Sequence, residues 1–160
     1  MHPKIAEAVG DLMANGHPWE AVFAACKSLV LLVKERSGRH DLDGVPLMRQ
    51  VFSRHKPVLR FNALQSVTDS DEQEGMMHLY EGVIMALRNP GGHSFPTGPS
   101  SRASQYLQLI SMLAERADEA SLTAARGSDT HAPKVAATPA ENPQPLAGSM
   151  VLDDGRAGCG

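Results

Sequence analysis

Aromatic side chains are scarce in this chain of 160 residues: one Trp, two Tyr and four Phe amount to 4% of it. The core therefore has to rest on Leu, Val, Ile, Ala and eight Met, and an apolar share of 42% is enough to build it for one domain. Cysteine is nearly absent. Cys26 falls inside an apolar helical pattern and Cys159 beside the C-terminal residue, so neither a disulfide framework nor a zinc site is expected. A strong charge of one sign is also lacking. The formal net charge of -3 argues against wholesale nonspecific nucleic-acid binding, which shows as a strongly basic domain, and leaves room for a local basic patch. Long apolar runs are missing too: the longest, residues 28–33 between Lys27 and Lys34, is far too short to span a bilayer. No charged segment followed by an apolar stretch and a cleavage site opens the chain. These absences lead to the expectation of a soluble protein of the reducing cytoplasm, with no membrane association, no metal and no cofactor.

What is present divides near residue 120. Residues 121–160 contain no aromatic and four of the eleven prolines, and Ala, Gly, Thr and Ser dominate without periodicity. Such a segment buries too little apolar surface to offset its conformational entropy, so a disordered tail is expected there, after a helical domain over residues 1–120.

Within that domain the patterns are helical. Pro3 suits a first helical turn, Ile5, Ala8, Val9 and Leu12 share one face, and Asn15-Gly16 is a stop signal. Pro18 opens a second helix whose stripe of Val22, Ala25, Cys26, Leu29, Val30 and Val33 ends at Ser37-Gly38. Between residues 39 and 68 the signal weakens to a short helix around Leu47, Met48, Val51 and Phe52 and an extended stretch at residues 57–61. A third long helix is expected with Asp69 as N-cap and Glu72 at the capping-box position. Its buried face would hold Met76, Leu79, Tyr80, Val83, Ile84 and Leu87. Asn89 precedes Pro90, which disfavours helical backbone at Asn89 and puts Arg88 in the last turn. Ser100 or Ser101 would cap a fourth helix carrying Tyr106, Leu107, Ile110, Leu113 and Ala117. The fold class expected is all-α: an antiparallel four-helix bundle with a short extra helix or irregular segment after helix 2 and a disordered C-terminal tail.

The stretch that carries chemistry is Arg88-Asn89-Pro90-Gly91-Gly92-His93. RNA brings its own nucleophile, the 2′-hydroxyl. A metal-free ribonuclease therefore needs a group to move protons and a cation for the crowded phosphate. His93 suits the first task because an imidazole titrates near working pH, at about 6.5. Arg88 suits the second because its planar fork donates two hydrogen bonds and stays charged, and Asn89 can orient either group. The same residues also make an ordinary helix stop, since an arginine is favoured in a last turn and Pro-Gly-Gly ends helices.

The Arg-polar-x3-His arrangement at the end of the third helix resembles the HEPN superfamily of ribonucleases. More closely, a set of ordered blocks resembles the Ymh family of phage and bacterial proteins: His2-Pro3-Lys4-Ile5; Gly16-His17 followed by Ala21-Val22 and Ala24-Ala25-Cys26-Lys27; Gly44 to Phe52 with Leu47-Met48; and Glu74-Gly75 through Gly82 to Arg88-Asn89-Pro90 and His93. Tyr106-Leu107 in the last helix also fits, and the likeness covers residues 2–119. The resemblance implies a metal-independent endoribonuclease of toxin or abortive-infection type, acting in phage defence. Arg88 and His93 would be catalytic, with Asn89 as the supporting polar residue. It also implies a homodimer whose protomers bring their motifs together into a composite active site, and an antitoxin or regulatory partner. Proteins of this type carry further sequence upstream of the His-Pro block, so a specificity or regulatory module is expected to be missing here.

Residues 34–60 hold Lys34, Arg36, Arg39, Arg49, Arg54, Lys56 and Arg60 against Glu35, Asp41 and Asp43. Arg49, Arg54, Lys56 and Arg60 are the candidates for guiding an RNA backbone toward the site; a solvated charged face is the other reading. The acids at residues 69–74 are explained by capping and match no calcium loop. Trp19 is expected to anchor the core or an interface, and Met76-Met77 to pack in the core. The alternative to a nuclease is a noncatalytic RNA-binding, nucleotide-binding or dimerisation module, including one left by truncation of a larger protein.

Overall fold

The computed structural model of the chain describes residues 1–91 and 98–123. The expected disordered tail lies outside the described residues from position 124 onward. Local chemistry sets the ends of the first two helices. α1 (Pro3–Ala14) has proline at its first position, where the missing amide would have had no helical partner, and it stops before Gly16 at φ 80°. α2 (Pro18–Ser37) starts in the same way and closes on Gly38 at φ 70°, whose amide donates to the Lys34 carbonyl at 2.8 Å. α3 (Gly44–Val51) turns Leu47, Met48 and Val51 inward, and β1 (Leu59–Arg60) occupies the stretch read as extended.

α4 (Val67–Val83) begins one turn earlier than the Asp69 cap would place it. Ser66 is the N-cap and accepts from the Asp69 amide at 3.0 Å, while the Asp69 carboxylate accepts from the Gln65 amide at 2.9 Å. The exchange resembles a capping box, but Asp69 reaches back to the amide of the residue before the cap, and Glu72 instead pairs with Arg116. Tyr80, Val83, Ile84 and Leu87 are buried as expected, but Leu79 is exposed and the amide of Gln73 takes a place in the core. α6 (Ser100–Glu119) starts from Pro99, whose carbonyl accepts from the Arg102 amide, rather than from a serine side chain.

Side-chain contacts fix the helix directions. α1 lies antiparallel to α2, with Lys4 paired to Glu35 and the Ser28 hydroxyl donating to the Lys4 carbonyl at 3.1 Å. α6 runs parallel to α2: Trp19 lies against Tyr106 at one end, and at the other Arg36 donates to the Asp118 and Ala120 carbonyls at 2.7 and 3.0 Å. α4 is antiparallel to α6, joined by the Tyr80 hydroxyl on the Leu113 carbonyl at 2.6 Å and by Glu72 with Arg116 at 2.8 Å. The fold is thus all-α around a central α2, on which Ala21, Ala25, Cys26, Leu29 and Val33 are fully buried. Its strands are limited, among the described residues, to β1 and β2 (Ser121–Leu122), paired antiparallel with Leu59 opposite Leu122. The Thr123 amide bonds the Val58 carbonyl at 2.9 Å, so regular pairing continues three residues beyond position 120.

The few aromatics do more in the core than the composition suggests. Phe52 stacks on Tyr80 at 4.2 Å and on Phe61 at 5.1 Å, and Tyr80 and Phe52 head the fully buried side chains by size. The methionines do less: Met48 is fully buried and Met76 and Met77 pack against the core, but Met1, Met13, Met85 and Met112 are exposed. No helix among the described residues is long and apolar enough to cross a membrane.

Candidate functional site

The site begins with a conflict between Pro90 and the helix before it. Proline has no amide to donate and its ring collides with the carbonyl four residues back, so an α-helix should end ahead of it. Instead α4 passes into a π turn (Ile84–Arg88), in which the Asn89 amide bonds the Ile84 carbonyl five residues back, and helical backbone resumes as α5 (Asn89–Gly91). The expectation that Asn89 leaves helical geometry is therefore corrected: its φ and ψ are -65° and -48°.

This detour sets the position of Arg88. Its side chain is 26% exposed and donates from Nη2 to Asp43 Oδ2 at 2.8 Å. Lys34, from α2, reaches the other oxygen of the same carboxylate, Nζ to Oδ1, at 2.9 Å. Lys34 first, and Arg88 after it, hold the Asp43 carboxyl below the usual carboxylate range, against the opposing effect of partial burial. Asp43 occupies the N-cap position of α3 without capping it. The third helical residue is Pro46, which has no amide to offer, and the carboxylate turns to the two cations instead. Gly44 completes the arrangement at φ 55°. A Cβ there would stand 3.3 Å from Arg88 Nη1 and 3.9 Å from Ile84 Cγ2. Cys26 lies behind Arg88, and burial pushes its thiol up to about 12, with the nearby guanidinium opposing only part of that rise.

Of the residues singled out from the sequence, Arg88 and Asn89 are neighbours at this helix end, Asn89 being exposed. His93 lies outside the described residues. Of the basic candidates, Arg49 lies on α3, Arg54 and Lys56 in the segment that follows it, and Arg60 in β1. Arg49 donates through Nε to Glu81 at 2.9 Å, and Arg54 is held by Glu74 and, at 3.2 Å, by Asp71. Lys56 and Arg60 have no ion pair among the described residues. The carboxylates of α4 thus engage two of the four cations proposed for RNA guidance. Trp19 is partly buried and donates from Nε1 to the Gly98 carbonyl at 3.1 Å, anchoring the chain where it enters α6. Among the described residues no group of three His, Cys, Asp or Glu side chains gathers in a way that would hold a metal ion.

Sequence reading missed Lys34, Asp43 and Gly44 as parts of one site. A signal was present in Asp43-Gly44-Val45-Pro46: an N-cap residue followed by proline at the third helical position has a side chain with no helical amide to bind there. No curated protein and no solved structure matches the chain. The model of the family described as Protein of unknown function (Hypoth_ymh) matches residues 1–117, and the chain belongs to that family.

Proposed function

We propose that the chain is a metal-independent endoribonuclease of toxin or abortive-infection type, built as a HEPN-like four-helix bundle and acting in the cytoplasm as a two-fold homodimer. The observation that supports this reading best is the setting of Arg88. A π turn keeps its guanidinium at the partly open end of a helix, in contact with an oxyanion-like carboxylate rather than with backbone carbonyls. A guanidinium so placed suits a phosphodiester.

In the reaction proposed, His93 takes the proton of the RNA 2′-hydroxyl, the freed oxygen attacks the adjacent phosphorus, the bond from phosphorus to the 5′-oxygen breaks, and the imidazolium of His93 returns the proton to that departing oxygen. The products are a 2′,3′-cyclic phosphate and a 5′-hydroxyl end. Arg88 neutralises charge on the phosphate as the fifth oxygen approaches, and Asn89 orients the strand. A two-fold contact duplicates whatever lies at its axis, so a dimer closing over the Arg88 end presents two such motifs to one strand. Lys56 and Arg60, free of intramolecular ion pairs among the described residues, are the cations best suited to draw in the backbone.

The test is cleavage of end-labelled RNA in EDTA by purified wild type, Arg88→Ala and His93→Ala. The expected result is cleavage by wild type and loss of about a hundredfold or more in each variant. Equal cleavage by all three would refute the assignment. Saturable RNA binding without cleavage by the folded dimer would leave a noncatalytic binding module in its place.

A further inference from the structure

Two cations from separate elements, Lys34 of α2 and Arg88 of the π turn, meet on one carboxylate and take one oxygen each, at 2.9 and 2.8 Å. The two cations are partly buried, Lys34 at 20% and Arg88 at 26% exposure, whereas Asp43 is 52% exposed, so the carboxylate is the member of the group that faces solvent. The carboxylate makes no cap hydrogen bond to its helix, whose third residue, Pro46, has no amide to offer. Gly44, by lacking a side chain, leaves the approach to Arg88 Nη1 open. We infer that Lys34 and Arg88 form a seat for a phosphate oxyanion, in which the Asp43 carboxylate is the resident occupant that an incoming phosphate displaces.

The chemistry of the exchange is simple. A phosphate presents two oxygens at nearly the spread of a carboxylate and takes the same charge-assisted hydrogen bonds from an ammonium and a guanidinium. While Asp43 stays in place its negative charge repels a second anion. Once it swings out, both cations are released to the ligand together. Lys34 thereby becomes a binding residue beside Arg88, and Asp43 an internal competitor that keeps weak anions out. This extends the function proposed above and shares Arg88 with it, but the two are measured differently, one by anion binding and the other by strand cleavage.

The experiment is calorimetric titration of the full chain with inorganic phosphate and, separately, with a short RNA carrying 2′-O-methyl groups, which cannot be cleaved by 2′-hydroxyl attack. The variants are Asp43→Asn, Asp43→Ser, each of these with Lys34→Gln, and Lys27→Gln as a control cation on the same helix. Removing the resident charge should tighten phosphate binding about tenfold or more. Lys34→Gln should cancel that gain, and Lys27→Gln should leave wild-type binding unchanged. Asp43→Ser keeps a good N-cap residue and gives a second reading if the asparagine variant folds poorly. Unchanged or weaker phosphate binding in natively folded Asp43 variants would overturn the seat and make Asp43 a structural bridge. A gain with both ligands identifies the strand phosphate as occupant, and a gain with inorganic phosphate alone identifies the free anion. Tightened binding without RNA cleavage by wild type would remove the nuclease reading and leave the seat; cleavage without tightened binding would do the reverse.

Discussion

Replacing Gln73 by Leu should be among the most damaging single changes in this protein. Gln73 is fully buried, and its side-chain amide makes three hydrogen bonds to backbone: Nε2 donates to the Phe52 and Leu59 carbonyls, and Oε1 accepts from the Phe61 amide, all at 3.1 Å. These bonds tie the segment that leads into and out of β1 onto α4, and two of the residues they hold, Phe52 and Phe61, stack on each other, with Phe52 also on Tyr80. Leucine fills similar space but leaves the three backbone groups without their partner. Each buried polar group left unsatisfied costs about 1–3 kcal/mol, so allowing for partial rehydration the loss should be about 3–5 kcal/mol. Against a typical domain stability of about 5–15 kcal/mol this is a large share. Gln73→Glu sharpens the test. The glutamate keeps an acceptor for the Phe61 amide but, when charged, turns a second oxygen toward two carbonyls. Burial there would raise its folded pKa above the unfolded value of about 4.3, so the stability of this variant relative to wild type should rise as pH falls toward and through the raised pKa. Urea denaturation followed by far-UV circular dichroism between pH 4 and pH 8, as approximate limits within the usual stability range, measures both effects. A loss below about 1 kcal/mol for Gln73→Leu at unchanged m value, or a flat pH profile for Gln73→Glu, would refute the argument.

Three further expectations follow from the site and its surroundings. Gly44→Ala forces a Cβ into a left-handed backbone at φ 55° and to 3.3 Å from Arg88 Nη1. The backbone strain should cost about 1–2 kcal/mol, while under the nuclease reading proposed above displacement of the guanidinium should lower RNA cleavage far more than the stability loss explains; parallel melting and cleavage measurements separate the two. The Cys26 thiol, fully buried and pushed up to about 12, should resist iodoacetamide near neutral pH in a Cys159→Ser background until the protein is unfolded, and rapid labelling of the native state would contradict that placement. Glu81 is held below its usual range chiefly by its hydrogen bond to Arg49. A lowered folded pKa contributes stability above the unfolded value and loses it as pH falls through the folded one, so Arg49→Ala should destabilise modestly at pH 7, Arg49 being 61% exposed, and progressively less as pH falls from about 4.3 through the lowered value; an equal loss at pH 7 and below the lowered value would argue against that coupling.

Much of the helical framework was legible because its signals are local. Pro3 and Pro18 lack an amide that a first helical turn does not use, and Gly16 and Gly38 adopt a left-handed backbone that other residues resist, so four helix ends can be read directly. Arg88 and Asn89 stood out because residue type and spacing suggest phosphate chemistry before any fold is known. The reading erred where two local signals competed. Both Ser66 and Asp69 are N-cap residues, and the one that wins is the one whose partner three residues on can reach back, which Asp69 does to Gln65. At Asn89-Pro90 the local rule against a helix was overridden by a π turn, a backbone option that leaves little trace in composition.

The sequence by itself determined an all-α chain and the ends of α1 and α2, and it offered Arg88 and Asn89 as candidates for phosphate chemistry, because those readings follow from single side chains and their near neighbours. Tertiary structure alone decided what those residues meet. Asp43 and Arg88 lie far apart along the chain and touch only because α3 packs beside the π turn. Lys34 joins them because α2 passes the same point, and Arg49 and Arg54 are drawn to α4 carboxylates. An ion pair across such a separation depends on where two elements dock, and docking is set by the shape of the whole core rather than by any stretch of sequence short enough to read.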